Sequence, residues 1–260
     1  MIADMKISKI PPVVILAEPQ LGENIGTAVR AMANFGLEEL RLVAPRDGWP
    51  NEAARKPASG ADHIIDNTKV FANIEDAIAD LHCILATTAR PRDMLKPVMT
   101  PEVAGRTIHT RTAAGQKCGI LFGRERWGLN NDEIALCNAI VMAPVNPQFS
   151  SINIAQAVLL LGYEWFKQGS EKPSDNAQEE ELPLCNTRPA NSAELAGFFG
   201  HLESELDSSG FLRPVEKRPT MVRSIRNMFK RMDATEQEIR TLRGVISSLT
   251  RVATRKSRSP

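Results

Sequence analysis

Three stretches concentrate side chains that could do chemistry. The first is EPQLGENIGTAVR, residues 18–30. Asn24 can cap a helix there, Gly26 lets another backbone come close, and Arg30 lies about two turns further in. The free N–H groups of such a first turn favour an anion. The second is FGRERWGL, residues 122–129. Gly123 and Gly128 bracket the charges of Arg124, Glu125 and Arg126, while Phe122, Trp127 and Leu129 should pull the loop inward. The third is PVNPQFSSINIAQAV, residues 144–158, where a polar loop runs into an apolar helix. Ser150 or Ser151 could cap that helix, but one polar residue is enough for a cap. A helix as apolar as Ile154–Leu161 holds its first turn rigidly, which suits a binding site. A fourth, weaker stretch is ATTAR at 86–90. The G-x-x-x-x-G-K-[ST] spacing of a phosphate loop is missing, as is a G-x-G-x-x-G followed by an acid on the next strand. No Ser-His-Asp set is evident.

The elements that must hold these loops alternate. Short apolar runs at 13–18, 37–45, 82–89, 117–123 and 139–145 read as strands. Helices are expected at 27–36, 72–81, 130–138 (capped by Asn130 or Asn131) and about 151–167. Strands apolar on both faces imply a parallel sheet with helices on both faces, an α/β fold. Ligands then bind at the carboxyl ends of the strands, where the loaded loops lie.

Residues 1–167 read as one domain and 168–190, rich in Pro, Ser, Asn and Glu, as a linker. Residues 191–260 read as a basic extension of about three helices. Asn191 with Glu194 and Thr235 with Glu238 have capping-box spacing. Apolar stripes follow: Leu195, Phe198, Phe199, Leu202 and Leu206; Met221, Ile225, Met228, Phe229 and Met232; Ile239, Leu242, Ile246 and Leu249. Arg223, Arg226, Lys230 and Arg231 occupy the other face of the middle helix.

Formal net charge is only +1, but it is split. Residues 211–260 hold thirteen Lys and Arg against four acids and the rest nineteen against twenty-seven, so +9 faces −8. A basic extension of this kind favours an anionic partner, nucleic acid first. Four cysteines without C-x-x-C pairing or metal-ligand spacing suit a reducing cytoplasm. The amino terminus lacks the apolar core of a signal peptide. No apolar run approaches the roughly 20 residues of a membrane span.

In order, Asn24-x-Gly26-x-x-x-Arg30, Phe122-Gly123-Arg124-Glu125-x-x-Gly128-Leu129 and Ser151-Ile152-Asn153-Ile154-Ala155 resemble the three motifs of the TrmH/SpoU branch of the SPOUT RNA methyltransferases. The resemblance covers about residues 12–166. Residues 192–250, with FFGHLE, GFLRP and LRGVI, resemble the C-terminal extension of the TrmJ subgroup. It implies a deep trefoil knot, S-adenosylmethionine as donor (S-adenosylhomocysteine as product) without a metal, a cytoplasmic homodimer whose sites are finished by the partner chain, and methylation of a tRNA ribose 2′-hydroxyl at nucleotide 32 of the anticodon loop. Thr87, Thr88, Ala89, Gly123, Ala143, Ser150, Ser151 and Ile152 would line the donor pocket. Asn24, Arg30, Glu125, Ser151 and Asn153 would surround the ribose. Glu125 would be a base or an arginine anchor. Phe149 stands where some relatives have Tyr. The same core would also serve a ribosomal RNA 2′-O-methyltransferase, or an RNA-binding protein that has lost catalysis.

Overall fold

The computed structural model describes residues 10–90, 94–170 and 187–256. The chain divides into two compact units, 1–180 and 181–260.

In the first unit seven parallel strands form one sheet: β1 Val13–Ala17, β2 Leu40–Val43, β3 Lys69–Phe71, β4 Cys83–Thr87, β5 Val98–Met99, β6 Cys118–Phe122 and β7 Ala139–Val141. Their order is β3-β2-β1-β6-β4-β7-β5. The five expected strands are present. The two extra ones, β3 and β5, are short and partly exposed and lie at the sheet's edges, so neither carries a buried apolar run. Neighbouring side chains on a strand leave the sheet on opposite faces, and each face has its own core. Val14 and Leu16 join Leu40, Leu42, Phe122, Val158 and Trp165 on one side. Val13, Ile15 and Ala17 join Ile78, Ile84, Leu121 and Ile134 on the other.

Helix α1 is Gly22–Asn34, so it begins before the expected 27. Asn24 therefore lies inside its first turn and does not cap it; Leu21 holds the capping position without a side-chain bond. The expectation for Gly26 holds, since a Cβ there would stand 2.1 Å from the Ala54 carbonyl oxygen. The short α2 Arg55–Ala58 and α3 Asp62–Asp66 follow. Helix α4 is Ile74–Ile78, α5 Pro101–Ala113, α6 Asn131–Ala135 and α7 Ile154–Ser170. Sequence reading has no counterpart for α5, whose residues show little amphipathic order; Thr100 caps it and Pro101 starts it. Helix α7 enters the stretch expected as linker, most of which lies outside the described residues.

The second unit has the three expected helices, α8 Ser192–Ser209, α9 Arg218–Lys230 and α10 Glu236–Lys256. Leu195, Phe198, Phe199 and Ile239 centre its core, and the ring of Phe229 meets Phe198 edge-on at 4.8 Å. The α9 stripe differs from expectation. Met228 and Met232 are exposed, whereas Lys230 is buried. Acids on α8 explain part of the shift. Arg226 pairs with Glu203 and lies over Phe199, and Arg218 pairs with Asp207, which draws a charged face of α9 inward.

Candidate active site

The loop after β6 is tightly closed. Arg124 and Gly128 exchange backbone hydrogen bonds, Gly128 adopts φ +66°, and a Cβ on Gly123 would come within 2.3 Å of Gly128 backbone. The Arg124 guanidinium donates to the Gly128 carbonyl at 3.4 Å and reaches beyond its loop to two carboxylates. Its Nε donates to Glu18 at 2.8 Å, and Nη2 and Nη1 donate to the two Glu133 oxygens at 2.9 and 3.1 Å. Glu133 also accepts the Asn130 N–H at 2.7 Å, closing the α6 capping box around Asn130. The hydrogen bond from Arg124 holds the Glu18 carboxyl below the usual range, and the two carboxylates raise Arg124 further. Glu18, with φ +45°, and Ala44, with φ +42°, end β1 and β2 in the left-handed region, a strain that clusters at functional sites. Phe122 and Leu129 are buried as expected, but Trp127 is 70% exposed. The Arg124–Gly128 pairing makes residues 125–127 the loop tip, which turns the indole outward.

Glu125 points from that tip toward α1. Its carboxylate accepts the Gln20 backbone N–H at 3.1 and 3.2 Å and the Asn24 Nδ2 at 3.2 Å. Asn24 Oδ1 in turn accepts from Asn153 Nδ2 at 3.5 Å. Asn153 is also what caps α7, in place of the expected Ser150 or Ser151. Its Oδ1 accepts the Ala155 N–H at 2.9 Å, while Gln156 reaches back to the Asn153 N–H at 3.3 Å. With the cap supplied two residues later, the hydroxyls of Ser150 and Ser151 have no hydrogen-bond partner among the described residues.

Two adjoining cavities result. Asn24, Glu125, Ser151 and Asn153 line one, together with Phe149 and Gln156. Thr87, Thr88, Ala89, Gly123, Ala143, Ser150, Ser151 and Ile152 all line the other, over a floor that includes Phe122, Val141 and Leu161. Ala143 sits beyond β7 and not within it. Glu125, Ser151, Ile152 and Ile154 line both cavities. Arg30 lines neither; it is exposed on α1, six residues and about 9 Å along the helix axis from Asn24. Sequence reading did not anticipate Gln20, whose contribution is a backbone N–H, or Gln156, three residues after the true cap.

The geometry has counterparts among known proteins. The model of the SpoU rRNA methylase family matches residues 11–163. The chain belongs to the SpoU methylase family. Within it, residues 193–258 match the C-terminal domain of the tRNA methyltransferase TrmJ. The chain is 35% identical to the tRNA (cytidine/uridine/adenosine-2′-O-)-methyltransferase TrmJ of Pseudomonas aeruginosa, covering 92% of this chain and 94% of that one. It is 34% identical to the tRNA (cytidine/uridine-2′-O-)-methyltransferase TrmJ of Salmonella typhimurium, covering 91% and 95%. The crystal structure of TrmJ from Z. mobilis superposes with a TM-score of 0.81 at 48% identity, covering 92% of this chain and 99% of that one.

Proposed function

We propose that the chain is a tRNA 2′-O-methyltransferase that takes its methyl group from S-adenosylmethionine and acts at nucleotide 32 of the anticodon loop. The observation that carries this reading is the pair of adjoining cavities with Ser151 and Glu125 common to both. One would take the donor and the other the acceptor ribose. The names of the relatives and the TrmJ-type second unit support tRNA over ribosomal RNA. The cavity lined by residues 87–89 suits the donor. Residues 87–89 and 150–151 bring small side chains to its lining, and the close approach of Gly123 to the Gly128 backbone shapes the loop beside it.

Bound there, S-adenosylmethionine supplies a methyl group on a sulfonium, ready for in-line displacement. The chain's own work is alignment and charge. Glu125, fixed by Gln20 and Asn24, offers a carboxylate to the ribose hydroxyl, as proton acceptor or as orienting group. Asn24 and Asn153 hold each other and the start of α7. Arg30 polarises the ribose oxygen or grips a phosphate. Since it lines neither cavity of its own chain, it works in a homodimer, across which each copy completes the other's site. The exposed Leu159 and Tyr163 on α7 give that dimer an apolar face. In this reading 1–167 is the catalytic domain, with its knot, 168–190 a linker and 191–260 an RNA-binding extension, in a cytoplasmic enzyme.

Mixed dimers test the shared site. Arg30→Ala and Glu125→Ala proteins are each inactive. Dissociated and reassociated together, they recover about a quarter of wild-type methyl transfer, because half the dimers carry one intact site. No recovery from well-folded mixed dimers would put Arg30 and Glu125 in one chain's site.

A further inference from the structure

Trp127 is 70% exposed and so packs little against the described residues. Phe122 and Leu129 already anchor the loop in the core, and the Arg124 clamp to Glu18 and Glu133 fixes its base. The other two tryptophans are used differently: Trp165 is 1% exposed and Trp49 packs partly buried against the core. Leaving most of an indole in water at a loop tip forgoes its burial. Trp127 also lines the cavity assigned to the donor, two residues from Glu125. Arg90 and Arg126, both exposed, line the same cavity, and neither side chain meets a carboxylate among the described residues. A flat apolar face flanked by free cations matches one class of ligand, an unpaired nucleotide. Its base stacks on the indole, and the arginines take the adjoining phosphates.

We infer that Trp127, with Arg90 and Arg126, is a stacking platform for an unpaired RNA nucleotide that flanks the one being methylated. This rests on the reading of the chain as an RNA methyltransferase. The donor is the poorer partner for this indole. The cavity floor, where a small molecule is enclosed, is built from Phe122, Val141 and Leu161, whereas Trp127 faces outward at the rim. Stacking tolerates any base, so the platform adds affinity for a looped-out strand without reading its sequence.

The test compares wild type, Trp127→Ala and Trp127→Phe in methyl transfer to unmodified tRNA, with donor affinity measured separately by calorimetry. Trp127→Ala is expected to raise KM for tRNA by roughly 10- to 100-fold, and Trp127→Phe to restore most of it. Adding tRNA without donor should quench an emission that Trp127→Ala lacks. Three results would overturn the platform. The first is an unchanged KM for tRNA in Trp127→Ala. The second is a loss of donor affinity as large as the loss for tRNA. The third is dissociation of the Trp127→Ala dimer, which would assign the indole to a subunit contact. A wild-type protein that methylates no RNA would instead overturn the functional reading beneath it.

Discussion

Glu125 is the residue whose surroundings constrain its role most closely. Both its contacts are donors, the Gln20 N–H and the Asn24 amide, so the site is shaped for two acceptor oxygens. Glu125→Gln keeps the size but turns an NH2 toward one of those donors and removes the charge. We expect kcat to fall by about 100-fold or more while donor affinity changes little, as single-turnover assays and calorimetry would read. Unchanged kcat would reduce Glu125 to a structural link between the loop and α1. Much of this was legible in the chain, because most cavity residues lie in four short contiguous stretches, each at a strand end. Two features were not. The exposure of Trp127 depends on how Arg124 and Gly128 close the loop. The isolation of Arg30 depends on the helical phase of α1, which began before the Thr27 expected from the pattern.

At the scale of elements, the site is held by close approaches that only small residues allow. Helix α1 presses on the segment 52–54 at Gly26, where a methyl group would meet the Ala54 carbonyl at 2.1 Å. Gly26→Ala should gain slightly in helix propensity and lose more to this overlap. The net loss should be about 1–3 kcal/mol, seen as a lower urea midpoint with an unchanged slope. A midpoint equal to wild type would mean that the 52–54 segment yields without cost. Elements with a buried apolar run were readable: β1, β2, β4, β6, β7 and α7. Those whose order comes from tertiary pairing were not. The edge strands β3 and β5 add a two- or three-residue rung to a sheet already made, and α5 is fixed by its cap and by packing on α7, where Gly105 meets the backbone of Glu164 and Trp165.

Across the whole molecule, one charged network ties the amino ends of the sheet together, away from the site. Arg41 is buried and bonds Glu39 at 2.7 Å and Asp80 at 2.5 Å; Lys117 bonds Asp80 at 2.7 Å and Glu39 at 3.1 Å; Lys69 bonds Glu39 at 3.0 Å. Burial alone would raise the Glu39 carboxyl, but the hydrogen bonds from Lys69 and Arg41 bring it down to about 2. Asp80 is lowered as well, chiefly by Arg41. With folded values below the unfolded ones, the unfolded chain binds more protons as pH falls from about 4.5 toward 2. The network's stabilisation is therefore complete at neutral pH and drains away through that window. Glu39→Gln should be less stable than wild type at pH 7, and the gap in urea midpoint should narrow by pH 3. A gap independent of pH would show that the charge of Glu39 contributes nothing.

In the proposed function, the two adjoining cavities join a methyl donor to a tRNA ribose. The most direct measurement is transfer of labelled methyl from S-adenosylmethionine to unmodified bulk tRNA, followed by nuclease digestion to locate the label. We predict a 2′-O-methylated nucleotide at position 32 of the anticodon loop, lost in Arg30→Ala. Label on ribosomal RNA alone, or none on any RNA from a protein that fails to bind the donor, would contradict it.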